Sequence, residues 1–558
     1  MMYKQTVKDL AVKKAEAIPL EWRLAPSLIA SVGDLDVISF VNSKCGLSAR
    51  EVEITNAVSA TDLAQKIAAH QYTSLEVTKA FCHRASIVQQ LCNALTELFF
   101  DEAYARAKYC DEYLATNGKT LGLLHGVPVS LKEEFHLKGT RTTWGFAAWA
   151  RQPPATNNSA VVELLLNAGA VLYVKTGVPQ ALMAWESVGV NGRVLNPHNR
   201  LLGAGGSSGG EGCLLAARGS LLGIGSDIGG SVRLPASICG IYTLKPTSSR
   251  FAYNGSRVLA QGVPLIFSVN GPMSVSIDDV ETYCKIQCTG LNGLARKLDP
   301  KVVPIPWTPV AITRKLKLGF FTDNGVVAPT PPVTRAVFEA VDALRKAGHE
   351  VVPFELTFDG PKLYSSASSI FGGYYDELYD VIYKQSDEGM IPAMRSGDRD
   401  PFANGPTPSM KAADIWKHKN VLDSAREAYA DTFTAMGIDA VICPTVAIPS
   451  CEHDKSTKLT GAVSYTIIWN ALDVTAGVIP CSTVTSPKGV DAPKPLNRPY
   501  RSSREKHVIE AYNENPMLYQ NSKVGLQVVG LKYEEEKIVS VMRIIDSVLK
   551  VRVGAAKI

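Results

Sequence analysis

The chain lacks any apolar run long enough to cross a membrane, so no transmembrane helix is predicted. Met1 to Pro19 mixes charges throughout and has no apolar stretch, which predicts that no secretory signal is present. A strong charge of one sign is also missing. A net charge of +5 over 558 residues is too mild to argue for nucleic acid or an anionic membrane surface. The eleven cysteines form no framework, and their number is odd. Cys82, Cys213 and Cys443 sit in apolar runs, where a buried reduced thiol is the default. Cys284 and Cys288 are close, but no second Cys/His pair at zinc spacing accompanies them, so no metal site is predicted. A reducing compartment fits this usage, and a cytoplasmic location is expected. There is no internal repeat, no low-complexity tract and no clean linker between residues 60 and 550. At 46% hydrophobic and 20% charged residues, this is the composition of a globular chain with a sizeable core.

The patterning that is present alternates helix and strand. Residues 1–58 read as a polar helical extension ahead of a domain over 59–558. Thr73 and Glu76 have capping-box spacing before the amphipathic positions Val77, Ala80, Phe81 and Val88. A helix over Asp101–Thr116 is predicted to stop near Gly118. Val127, Val129 and Leu131 alternate, which predicts a strand ending close to Lys132. A helix over Val161–Ala168 and a buried strand over Val171–Lys175 follow. Later, Leu316–Phe321, a helix capped by Thr334, and Val351–Phe354 form a β-α-β unit. Ala440–Cys443, Val478–Val484 and Val524–Val529 read as further strands, and the last helix carries Ile538, Val541, Met542, Ile545 and Leu549. The fold class is therefore α/β: one large domain with a central mixed, twisted sheet flanked by helices.

The densest signal is Gly203–Arg233. Two glycine-rich clusters, Gly205–Gly210 and Asp227–Ser231, each contain serine, with an apolar segment between them. Glycine lets backbone approach a ligand closely, so a site built from main-chain N–H groups is expected. Phosphate binding fits poorly, because neither the Gly-Lys-Ser/Thr nor the Gly-x-Gly-x-x-Gly pattern is complete. Gly205-Gly206-Ser207-Ser208-Gly209 satisfies Gly-x-Ser-x-Gly, which would make Ser207 the nucleophile of an α/β-hydrolase-type esterase. That motif needs a strand before it and a later histidine. The preceding stretch Asn196–Leu202 does not read as a strand. His349 ends a surface-type helix, and His418, His453 and His507 are read as lying in polar loops. The third chemistry is acyl transfer with serine activated by neutral lysine. Lys132 at a strand end is placed for that, if burial lowers its pKa. Ile228, Gly229 and Gly230 before Ser231 can offer N–H groups to an oxyanion. Taken singly, Lys132 is a solvated cap and each serine a turn residue.

The constellation resembles the amidase signature enzymes. The resemblance rests on Gly205–Arg233, its continuation Leu234-Pro235-Ala236 to Leu244-Lys245-Pro246-Thr247, the upstream His125-Gly-Val-Pro-Val-Ser-Leu-Lys132-Glu133, and the segments Tyr465–Pro480 and Val524–Gly530. It covers residues 60–550, and Ile18–Arg23 is similar to fungal acetamidase-type members. The resemblance implies a Ser-Ser-Lys triad of Ser231 as nucleophile, Ser207 as bridge after a cis peptide bond, and Lys132 as base. It further implies an oxyanion hole at Ile228, Gly229, Gly230 and Ser231, with Ser208, Asp227 and Arg233 in support. Leu182, Met183 and Trp185 would border an acyl pocket. Glu133, where many members carry aspartate, and Val232, where isoleucine is commoner, depart from the pattern. No metal or organic cofactor is implied.

The expected partner is a small-molecule amide, with no nucleic acid and no membrane insertion, and a homodimer is allowed. Two other readings share the fold: the amidase subunit of a tRNA-dependent amidotransferase, and a non-catalytic binding protein. Trp185, Phe371, Tyr374, Tyr375 and Trp469, on expected pocket loops, favour a small or aromatic acyl group over a long chain.

Overall fold

The computed structural model describes residues 2–259, 262, 265–289, 293–372, 375–395 and 410–555. Eleven strands form one sheet. In chain order they are β1 (Leu95–Leu98), β2 (Pro128–Lys132), β3 (Val171–Thr176), β4 (Leu222–Asp227), β5 (Tyr242–Lys245), β6 (Val269–Ser274), β7 (Lys317–Phe320), β8 (Glu350–Pro353), β9 (Ala440–Pro444), β10 (Ala476–Thr483) and β11 (Lys523–Val529). Their order across the sheet is β1-β3-β2-β4-β6-β5-β10-β11-β9-β7-β8. β3, β2 and β4 run parallel, as do β9, β7 and β8, while the strands between them pair antiparallel. The sheet is thus mixed. β2, β3 and β4 are buried along their whole length, as strands covered on both faces must be.

Local chemistry explains most boundaries. Thr73 accepts the Glu76 N–H at the start of Ser74–Cys92, and Gly118 takes a left-handed φ after Phe100–Asn117. The helix between β7 and β8 begins at Pro331 after Thr330, not at Thr334, because proline fits a first turn whose N–H has no intrahelical partner. Strand β6 was not foreseen: Gly271 and Pro272 argue against a central strand. It survives because a Cβ at Gly271 would come within 2.3 Å of the Leu244 carbonyl, an approach only glycine allows. The 25-residue helix Ala412–Met436 was also not foreseen. Most of the Pro/Gly-rich stretch 392–409 lies outside the described residues.

Residues 2–55 form four helices that lie against this body. Lys14 anchors them, its buried Nζ donating to Asn93 Oδ1 and to the carbonyls of Leu95 and Asn191. A continuous apolar core surrounds the sheet. A smaller cluster packs Trp144, Phe146 and Trp149 against Leu378, Ile382 and Met390. None of the eleven cysteines is in a disulfide, and ten of them are buried. No described helix is long and apolar enough to cross a membrane.

Candidate active site

Adjacent parallel strands β2 and β4 pair Ser130 with Gly223 and Leu131 with Ile224, so both strands deliver polar ends to one place. Lys132 closes β2, and Ser226 and Asp227 close β4. Lys132 is fully buried, and its Nζ donates to Ser207 Oγ at 2.9 Å and to Ser226 Oγ at 2.7 Å. Burial pushes the Lys132 pKa down, while the charges of Glu134, Asp227 and Glu133 push it back up; the balance lies below the ordinary lysine value. Ser207 follows a cis peptide bond from Gly206. Ser208 donates its N–H to the Ser231 carbonyl at 3.1 Å.

After β4 the chain turns through Ile228–Ser231. Gly230 has φ of +129°, and a Cβ there would lie 2.3 Å from Thr466 Oγ1, so this turn requires glycine. The Gly230 N–H is donated to Asp227 Oδ1 at 2.9 Å. Asp227 also accepts from the Val232 N–H, from Asn470 Nδ2 and from Nε and Nη2 of Arg233. Burial alone would raise the Asp227 carboxyl, but the paired Arg233 guanidinium and the Asn470 amide hold it at about 2. Arg233 spends its remaining N–H groups on the Thr466 carbonyl, Gln527 Oε1 and Asn470 Oδ1. The two clusters are thereby fixed from below by a saturated buried network.

Ser231 opens onto two cavities. One, of about 460 Å³, is lined by Ser207, Ser226, Glu134, Tyr253 and Val258. The other, of about 330 Å³, is lined by Leu378, Met390, Met394, Val463 and Ile467. Leu182, Met183, Ile228 and Phe371 border both. Trp185 lines only the smaller, with Nε1 donating to the Ser456 carbonyl. Trp469 corrects an expectation: it is fully buried in helix Ser464–Ala471 against Phe321 and Tyr429, and lines neither cavity. Tyr374 and the Tyr375 side chain lie outside the described residues.

Three nearby residues escaped sequence reasoning. Ser226 is the second acceptor for Lys132, Glu134 sits 3.6 Å from its Nζ, and Glu211 accepts from Ser130 and Thr176 hydroxyls. Burial raises the Glu211 carboxyl to about 7. None carries a local signal: Ser226 and Glu211 come from β4 and helix Gly209–Ala216, and Glu134 is brought to Lys132 by the turn that ends β2.

Two expectations about the esterase motif are also corrected. Asn199–Gly203 is a strand, but it forms a hairpin with Leu195–Asn196 apart from the main sheet. His418 and His507 lie on helices, and His349 is buried, its Nδ1 accepting the Leu316 N–H. His453 contacts Glu186 and the Arg200 carbonyl. Among the described residues no histidine hydrogen-bonds Ser207 or Ser231.

A family model described as Amidase matches residues 76–539. The chain is 33% identical over 569 residues to an acetamidase of Emericella nidulans, with 98% of each chain covered. It is 32% identical over 507 residues to fatty acid amide hydrolase 1 of Caenorhabditis elegans, with 85% of each covered. The solved structure of a fatty acid amide hydrolase superposes with a TM-score of 0.89 at 30% identity, over 98% of this chain and 96% of that one. A buried lysine facing glycine-bound serines on this mixed sheet thus occurs in a chain that belongs to the amidase signature family of amide hydrolases.

Proposed function

We propose that the chain cleaves an apolar or aromatic carboxylic amide through an acyl-enzyme on Ser231. The observation that carries this reading is the buried hydrogen bond from Lys132 Nζ to Ser207 Oγ beside Ser231. Neutral Lys132 takes the Ser207 proton as Ser207 takes that of Ser231, and Ser231 Oγ bonds to the substrate carbonyl carbon. The resulting oxyanion is met by the N–H groups of Ile228, Gly229 and Ser231, each donor worth about 3 kcal/mol in the transition state. Gly230 contributes the turn, because its N–H serves Asp227. The C–N bond then breaks, the proton returns from Lys132 through Ser207 to the leaving nitrogen, and ammonia or an amine departs. Water attacks the ester with its proton passing along the same path, releasing the acid and restoring Ser231. This scheme draws on no cofactor.

Two cavities meeting at Ser231 give the acyl group and the leaving group separate places. The methionine- and leucine-lined cavity of about 330 Å³ is the candidate acyl side, roomy enough for an aromatic ring. Residues 59–558 would be the catalytic unit and 1–58 its helical extension. Eleven cysteines without a disulfide fit a cytoplasmic setting. The test is ammonia release from acetamide, hexanamide, benzamide and indole-3-acetamide, with and without hydroxylamine. Ammonia and hydroxamate from the native chain, absent in a folded Ser231→Ala variant, are expected. Normal turnover by that variant would overturn the assignment.

A further inference from the structure

Glu133 and Glu134 are the central residues of the turn that ends β2, closed by the Phe135 N–H donating to the Lys132 carbonyl at 3.2 Å, and this turn brings the Glu134 side chain back beside Lys132. Glu133 points the other way, where its carboxylate accepts the N–H groups of Thr143 and Trp144. Glu134 is 1% exposed, and its Oε2 lies 3.6 Å from Lys132 Nζ, which is fully buried. Its Oε1 accepts from the Tyr253 hydroxyl at 3.2 Å, and that hydroxyl also shares a hydrogen bond with Ser268 Oγ. Glu134, Tyr253 and Ser268 line the larger cavity at Ser231.

We propose that Glu134 is a positioning residue whose carboxylate is the counter-charge that holds Lys132 Nζ against Ser207 and sets the pH range in which Lys132 can accept a proton. The inference rests on Lys132 being the base. A desolvated lysine with no neighbour of opposite charge would shed its proton readily but take one back weakly. A carboxylate at 3.6 Å stabilises the ammonium that forms when Ser231 attacks, and so strengthens the base.

The other charged groups facing the pair do not replace this function. Asp227 also acts on Lys132 from β4, but it is bound to Arg233. Glu211 faces Lys132 from helix Gly209–Ala216 and is held by two hydroxyls. Glu133 faces Lys175, which also senses Glu134 from β3. Among the described residues, Glu134 is the one whose carboxylate lies within ion-pair distance of Lys132 Nζ, at 3.6 Å. Tyr253 fixes the direction of approach by occupying the other oxygen.

The test follows the pH dependence of Ser231 labelling by a fluorophosphonate, which reports serine activation without needing the physiological substrate. In the native chain the labelling rate should rise with pH as Lys132 loses its proton. Glu134→Gln keeps size and hydrogen bonding but removes the charge, so the rising limb should move to lower pH by about one to three pH units. The plateau rate should fall about tenfold or more, because the remaining base is weaker. Glu134→Asp, which draws the charge back from Nζ, should shift the limb in the same direction by less. It gives the same reading if Glu134→Gln does not fold. A limb unmoved, or moved to higher pH, in a variant with native melting overturns the inference while leaving Lys132 as the base. A native chain unlabelled at Ser231, or a native rate independent of pH, overturns the reading beneath it.

Discussion

The Ser208 N–H binds the Ser231 carbonyl at 3.1 Å, which ties the first glycine-rich cluster directly to the second. Each cluster therefore holds the other in place, and Lys132 enters from below with hydrogen bonds to Ser207 and Ser226. Several measurable consequences depend on that arrangement.

Lys132→Met should lower kcat/KM by about 10²–10⁴-fold, the usual range for losing a general base. In the native chain, kcat/KM should rise with pH through an apparent pKa below the ordinary lysine value, because burial lowers that of Lys132. The methionine variant should lose this limb. Rate profiles of both proteins on a shared amide decide it.

Arg233→Ala should destabilise the chain by about 3–5 kcal/mol, because it strands Asp227 as a buried unpaired charge. The native pair also sets an acid limit. Asp227 is held at about 2, below its unfolded value, so its stabilisation is complete above about pH 4 and is lost as pH falls towards 2. Denaturant melts between pH 2 and 6 should show a slope in the native chain that flattens in Asp227→Asn.

Gly230→Ala should cut turnover by about a hundredfold or more, in line with the loss of an oxyanion donor, because the turn carrying Ser231 must move. The added methyl meets Thr466 at both Oγ1 and Cβ, at 2.3 and 2.7 Å. Thr466→Ser would therefore not restore activity. Steady-state rates of the single and double variants check both statements.

Met390→Trp should fill much of the smaller cavity. Specificity for benzamide or hexanamide should drop by about tenfold or more, with acetamide changed by less than about threefold. Equal losses across the panel would place the acyl group in the larger cavity.

The sequence displayed the site better than the frame that carries it. Lys132, Ser207 and Ser231 stand in long ordered motifs, and the alternation in β2 and the apolar run in β3 are local signals. What stayed hidden was non-local. β6 contains Gly271 and Pro272, and only the Leu244 carbonyl pressed against Gly271 explains why. Trp469 looked like a loop aromatic because nothing nearby in sequence reveals Phe321 and Tyr429 around it. Glu134 gave no signal because its approach to Lys132 depends on the turn that closes β2 through the Phe135 N–H and the Lys132 carbonyl. The partners of Arg233 lie far along the chain and have no local signature.

That last separation governs how the protein is made. Gln527 receives the Arg233 guanidinium from 294 residues away, on β11. Contacts so distant in sequence close late and slowly. A nascent chain that has already displayed Lys132, Ser207 and Ser231 therefore still lacks a finished floor beneath Asp227. Hydrolytic competence should therefore emerge only once β11 has joined the sheet and Gln527 has met Arg233.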